Sequence, residues 1–328
     1  AFPYTPVANP RYMIPNWSFG IRAELVQERI DAARDEGADV VVLLSHNGFD
    51  VDRKLAGQVK GLDVLMTGHT HDAIPRPEVI GGTLMIASGS NGKFLSRLDL
   101  DVQGGTIKDY SYKLMPILSD VITPDAEMAQ AIADVRAPYQ AELDQELAKT
   151  SGLLYRRGNF NGTFDDLLCQ GMMEQRDTQI ALSPGFRWGP SLLPGAPITG
   201  DDLYSQTAMT YPAVYRLDFT GKQLKEIFED VADNLFNPDP FFQQGGDMVR
   251  VGGMRYTIDV NKDFGSRISD MQLSDGTPLE ASKSYSVAGW ASVNEGTEGP
   301  AIYDLMKDYF AANPVIDTIT SDSVTVKS

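Results

Sequence analysis

A chain of 328 residues, 42% hydrophobic and 22% charged, has room for about two domains that each bury a core. Its net charge of -17 argues against a nucleic-acid partner, because phosphate backbones are bound by clustered Lys and Arg. No apolar run approaches the ~20 residues that cross a bilayer, so no membrane insertion is expected. The single cysteine, Cys169, excludes an internal disulfide and any multi-thiolate metal site.

In chain order, Ile21 to Glu36 has helical periodicity and stops at Gly37. The run Asp39 to Leu44 is of the kind found in strands buried on both faces. A short helix is predicted over Val51 to Val59, and a second buried strand over Asp63 to Met66. Two more strands follow, Thr83 to Ser88 and Phe94 to Val102, the last alternating in the half-exposed manner. These elements make a layered α/β domain with a core sheet. Pro124 to Thr150 is expected to be a charged helical connection, kinked or split at Pro138.

From about Ser151 to Ser328 a second domain mixes helices and strands. Amphipathic helices are predicted at Thr163 to Gln175 and Gly221 to Phe236, and strands at Ala213 to Phe219, Met254 to Val260 and Tyr285 to Ala288. Gly and Pro cluster at 184–200 and 237–253, marking loops suited to line a cleft. Cys169, in Leu167-Leu168-Cys169, is expected to be a buried structural thiol. One cysteine fits cytoplasm and periplasm equally. The chain opens at Ala1, without Met and without a signal peptide's charged and apolar regions, as a mature form or a fragment would.

The chemistry lies in the histidines. His46 closes the first buried strand, and His69 and His71 follow the second in Gly68-His69-Thr70-His71-Asp72. Side chains at strand ends of an α/β sheet project into the crevice where ligands bind. Two such ends, joined by one helical crossover, belong to neighbouring parallel strands. Imidazoles there suit divalent zinc, manganese or iron. Asp72 beside His71, and Asn47 beside His46, are candidates to orient these ligands, a carboxylate fixing the imidazole tautomer.

Ser45-His46-Asn47-Gly48 and Gly68-His69-Thr70-His71-Asp72 resemble the last two motifs of the calcineurin-like metallophosphoesterases, in the branch that contains the 5′-nucleotidases. Leu217-Asp218-Phe219-Thr220-Gly221-Lys222-Gln223-Leu224-Lys225 and Gly252-Gly253-Met254-Arg255-Tyr256-Thr257-Ile258-Asp259 resemble the C-terminal domain of that branch. The resemblance implies an α/β chain: a partial layered metallophosphoesterase domain at 1–118, a helical linker at 119–150 and an α+β substrate domain at 151–328. It also implies a site of two divalent metals, with His46 and His69 on one and His71 on the other. The family's remaining ligands and its catalytic histidine come from motifs absent here, and Asp247 in Gly246-Asp247 lies in the wrong domain to replace one. The chain is therefore expected to be a C-terminal fragment with an incomplete metal site, no catalytic histidine and no activity alone.

Three arginines are candidates for a substrate oxyanion, since a guanidinium fork suits phosphate and sulfonate alike. Arg187, in Ser183-Pro184-Gly185-Phe186-Arg187-Trp188-Gly189, corresponds by resemblance to the nucleotidase arginine with that task; Arg156 and Arg157 are the others. The nucleotidase base-binding segment is replaced by Ala288-Gly289-Trp290-Ala291-Ser292-Val293-Asn294-Glu295-Gly296-Thr297-Glu298-Gly299, and Phe241 and Phe242 suit base stacking or core or lid packing. The motifs as a set, with Tyr155-Arg156-Arg157-Gly158-Asn159-Phe160-Asn161-Gly162, are similar to the SoxB-type thiosulfohydrolases of bacterial thiosulfate oxidation. That resemblance implies a periplasmic dimanganese hydrolase that releases sulfate from a thiosulfonate on a cysteine of the SoxYZ carrier, a transient protein partner. The alternatives are a periplasmic 5′-nucleotidase or 2′,3′-cyclic-nucleotide phosphodiesterase and, in another class, a non-catalytic binding module.

Overall fold

The structure is a computed structural model that describes residues 11–328 apart from Arg157, Gln244, Trp188, Ser321 and Ser328. The chain forms two compact units. The first runs up to Ala129 and takes back Asn237–Gly245; the second comprises Gln130–Phe236 and the chain from Gly246 onward.

In the first unit the helix α1 (Ala23–Asp35) precedes the strand β1 (Val42–Leu44), the helix α2 (Phe49–Ala56) and the strand β2 (Val64–Thr67). Then come β3 (Glu78–Ile80), β4 (Thr83–Ala87) and a long hairpin of β5 (Phe94–Gln103) and β6 (Thr106–Pro116). One sheet has the order β1-β2-β4-β3, with β1, β2 and β4 parallel and β3 antiparallel. Its core is Ile30, Leu55, Leu65 and Met85, with Leu43 and Phe241 packed against it. The apolar run before His46 is not buried on both faces as its composition suggests. Val42 is 45% and Leu44 75% exposed. The strand lies at a sheet edge, and alternation turns Val41 and Leu43 toward this core and Val42 and Leu44 away from it.

The expected helical connection is correct only in its first part. A helix, α3 (Ala126–Arg136), gives way at Pro138 to a 3-10 turn, Ala137–Tyr139, and a last helical turn, α4 (Gln140–Leu143). Glu146–Thr150 is a strand, β7, with Ala148 and Thr150 inward and the charged Glu146 and Lys149 outward. Inward and outward positions alternate only from Ala148 to Thr150, the register against β9 shifting between Glu146 and Ala148, so no pattern of two long enough to read stands in the sequence.

The second unit continues with α5 (Thr163–Arg176), β8 (Ile180–Ser183), β9 (Pro197–Thr199), α6 (Gly200–Thr207), β10 (Tyr215–Thr220) and α7 (Gly221–Phe236). It closes with β11 (Arg250–Gly252), β12 (Met254–Asp259), β13 (Ile268–Leu273), β14 (Ser284–Gly289), α8 (Ile302–Ala312), β15 (Val315–Ile316) and β16 (Val324–Lys327). Three sheets result, ordered β10-β14-β8-β11, β13-β12-β16 and β15-β7-β9. One core gathers Phe164, Leu168, Trp290, Met306 and Phe310; the other stacks Phe228 on Tyr256 at 5.0 Å. Among the described residues no helix is long and apolar enough to cross a membrane.

Candidate metal centre

β1 and β2 are parallel neighbours, with Leu44 opposite Met66, and they leave the sheet at the same end. The ladder reaches one residue further, where the Ser45 N–H donates to Met66 O at 2.9 Å. Beyond that bond the chains diverge into His46 and His69. The two imidazoles come together nonetheless, ring centres 5.3 Å apart and planes at 62°. Two imidazoles bound tetrahedrally to one ion, at Zn–N distances of about 2.1 Å, put their ring centres about 5 Å apart. The separation of the two rings is of that size. His46 is exposed and His69 half-buried, so the pair is reachable from solvent.

The second motif is held in an unusual backbone. His69 has φ 81° and His71 φ 61°, left-handed values that cost a non-glycine residue on the order of 1–3 kcal/mol each. Such strain persists only where neighbours over-determine it. Here the Phe49 N–H, at the start of α2, donates to Thr70 Oγ1 at 3.0 Å, between the two histidines. Among the described residues no group of three His, Cys, Asp or Glu side chains converges closely enough to hold an ion, so His71 does not join the His46–His69 pair.

Sequence reasoning missed Asp52, which is wholly buried on α2. Its Oδ1 accepts from Ser45 Oγ at 2.7 Å and Asn47 Nδ2 at 3.1 Å, and its Oδ2 from Thr67 Oγ1 at 2.5 Å. Burial raises its pKa above the usual carboxylate value, and these hydrogen bonds oppose the rise. Asn47 is itself buried, and its Oδ1 has no hydrogen-bond partner among the described residues. A spare carbonyl oxygen beside His46 suits an oxygen-accepting cation. Asp72 follows His71, and its carbonyl takes the Gly89 N–H at 2.7 Å. The signal for Asp52 was available in outline, an acid six residues after His46 on a predicted helix, but its bonds are not readable from one dimension.

The segment Asn237–Gly245 also packs in this unit. Lys54 Nζ lies 2.5 Å from Asp239 Oδ1 and 4.2 Å from the centre of the Phe241 ring. That contact, first among its causes, holds the Asp239 carboxyl below its usual pKa. Phe241 packs on the sheet core while Phe242 stays exposed. Gly245, at φ 72°, approaches His69 so closely that a Cβ there would overlap Nε2.

In the second unit β8 and β14 run parallel and end in the Pro184–Arg187 and Trp290 segments. Phe186 and Trp290 meet edge to face at 5.7 Å. Arg156 is buried behind them, its Cζ 5.7 and 5.9 Å from the two ring centres. Its nitrogens are engaged inside the protein: Nε and Nη2 with Asp165 Oδ1 at 3.0 and 2.7 Å, Nη1 with Gln206 O at 2.6 Å. Those bonds make it part of the frame, not an exposed anion grip. Asp165 also receives Ser183 Oγ at 3.3 Å and Arg250 Nε at 3.3 Å, and Trp290 Nε1 donates to Ser183 Oγ at 2.9 Å. Arg187 is half-buried on the loop after β8. Arg157 lies outside the described residues.

Comparison with known proteins gives a consistent picture. Residues 141–308 match the family described as 5′-nucleotidase, C-terminal domain. The sulfate thiohydrolase SoxB of Thermus thermophilus, solved with glycerol, is 36% identical at a TM-score of 0.94, covering 99% of this chain and 61% of that one. The trifunctional nucleotide phosphoesterase YfkN of Bacillus subtilis is 24% identical over 85% of this chain and 20% of its own length. The mouse 5′-nucleotidase is 21% identical over 93% of this chain and 59% of its own. The chain thus spans less than two thirds of each of these relatives.

Proposed function

We propose that this chain, which belongs to the 5′-nucleotidase family by the match of just over half its residues to that C-terminal domain, is part of a two-metal hydrolase releasing sulfate from a cysteine-bound thiosulfonate. The thiosulfonate would be carried by a SoxYZ-type protein, a transient partner, in the periplasm. The observation that carries the proposal is the 36% identity to a sulfate thiohydrolase across 99% of the chain.

His46 and His69 would hold one ion, with Asn47 beside them, and His71 would contribute to the second. Manganese is the proposed metal, and the same nitrogen donors admit zinc or iron. Such ions supply Lewis acidity and an activated water for displacement at sulfur or phosphorus. Water's oxygen becomes the fourth oxygen of sulfate, the sulfur–sulfonate bond breaks, one of water's protons passes to the sulfur left on the carrier, and the other is released to solvent. Arg187 is proposed to bind the sulfonate oxygens through its guanidinium fork. Arg156, closed in by Asp165 and Gln206, also donates from Nη2 to Pro184 O at 3.3 Å, at the start of the loop that bears Arg187.

The second reading, hydrolysis of nucleotides, is favoured by the curated relatives, which include a nucleotide phosphoesterase and a 5′-nucleotidase. The protein as its gene encodes it, assayed with manganese, discriminates the two. Sulfate release from a cysteine thiosulfonate on the carrier, with little phosphate from AMP, is expected. Efficient AMP hydrolysis without sulfate release would overturn the thiosulfonate reading.

A further inference from the structure

The Asp52 carboxylate bridges the two chain exits that carry His46 and His69. Oδ1 takes hydrogen bonds from Ser45 and Asn47, the residues on either side of His46. Oδ2 takes one from Thr67, the last residue of β2 and two before His69. Each oxygen therefore serves one strand end. These bonds begin where the main-chain ladder stops, since Ser45 N to Met66 O is its last rung. The same helix turn reaches a third point, Thr70, through the Phe49 N–H. Between them, Gly48 packs so tightly that a Cβ would sit 3.0 Å from Thr70 Cγ2.

A wholly buried carboxylate is an expensive way to fill space unless its bonds do something that an apolar side chain cannot. What these bonds do is fix the direction in which two diverging loops leave the sheet. They also set the Asn47 amide, because its nitrogen faces Asp52 and its oxygen is left without a partner among the described residues. The structure assigns Asp52 as a positioning residue: it holds the His46 and His69 rings at their 5.3 Å separation, ready to share one cation. The shared cation rests on the proposed metal hydrolase; the ring geometry stands by itself.

The test has two arms on this chain and its Asp52→Asn variant, which keeps the size but turns one acceptor into a donor. In the metal-free protein, NMR should show nuclear Overhauser cross-peaks between the His46 and His69 rings. Asp52→Asn should abolish them while the remaining spectrum stays dispersed. In the second arm cobalt(II) is titrated and its visible absorption followed. Loss of a residue that orients ligands weakens metal binding roughly 10–100-fold. Asp52→Asn should fall in that range, and His46→Ala and His69→Ala should abolish the signal.

Ring cross-peaks and cobalt affinity both unchanged in Asp52→Asn would overturn the assignment. Rings that separate in the variant, with no cobalt bound even by the parent chain, would support Asp52 and sink the metal reading alone. Should Asp52→Asn fail to fold, Thr67→Val removes only the bond from the β2 side. It is expected to separate the rings and weaken cobalt binding in the same direction, and an unchanged ring pair would again overturn the assignment.

Discussion

Arg156 and Asp165 form an ion pair shut away from solvent, with Nε and Nη2 at 3.0 and 2.7 Å from the same carboxylate oxygen. Arg250 reaches the other oxygen at 3.3 Å. Asp165→Ala would take their shared acid from two buried guanidinium groups, leaving Arg250 with Asp247 alone as its acid among the described residues. Breaking a buried pair by removing one partner costs about 3–5 kcal/mol. Urea unfolding of Asp165→Ala is expected to show a loss of this size, against less than about 1 kcal/mol for the exposed pair partner Asp99→Ala.

Gly245 abuts His69 Nε2 in a left-handed conformation. Gly245→Ala introduces both an overlap and a backbone strain of about 1 kcal/mol. Zinc titration by calorimetry should show binding weakened on the order of tenfold, as when a ligand's surroundings are disturbed. An unchanged affinity would mean that the Gly245 approach has no bearing on His69.

Arg187 and Arg156 should part company in kinetics. Arg187→Ala is expected to raise KM roughly ten- to hundredfold, the equivalent of about 1.5–3 kcal/mol of charge-assisted hydrogen bonding, without lowering the melting temperature. Arg156→Ala should lower the melting temperature, because its guanidinium bonds Asp165 and the Gln206 carbonyl inside the unit. Equal effects of both variants on KM alone would contradict this division.

Tyr215 lies opposite Gly289 in the β10–β14 pairing, and burial pushes its phenol up to about 12 from the ordinary 10. Between those values the folded chain keeps a proton that the unfolded chain releases, so stability must fall as pH rises from 10 towards 12. Tyr215→Phe has no such proton. Its melting temperature should therefore decline less steeply over that interval in differential scanning calorimetry.

Cys169 is fully buried, and burial first, then the nearby Asp166 and Asp165, raise its thiol well above the ordinary value. The folded chain should resist a thiol-specific disulfide reagent at pH 8, and denaturant should release one reactive thiol per chain. Rapid labelling of the folded chain would show an opening of the α5 core.

Much of this molecule is local chemistry and was legible as such. The helix Gly221–Phe236 appears with the bounds that its periodicity predicts, Pro138 ends a helix as a ring without an N–H must, and His46 and His69 stand at the ends of the parallel strands predicted for them. Those properties follow from side-chain spacing along one chain segment. The exposure of Val42 and Leu44, the strand hidden in Glu146–Thr150, the closure of Arg156 by Asp165 and the return of Gly245 to His69 depend instead on partners distant in sequence. Sequence alone marked which residue types bear the chemistry. Tertiary structure decided which of them meet, because a hydrogen bond or an ion pair acts over about 3 Å of space whatever the separation along the chain.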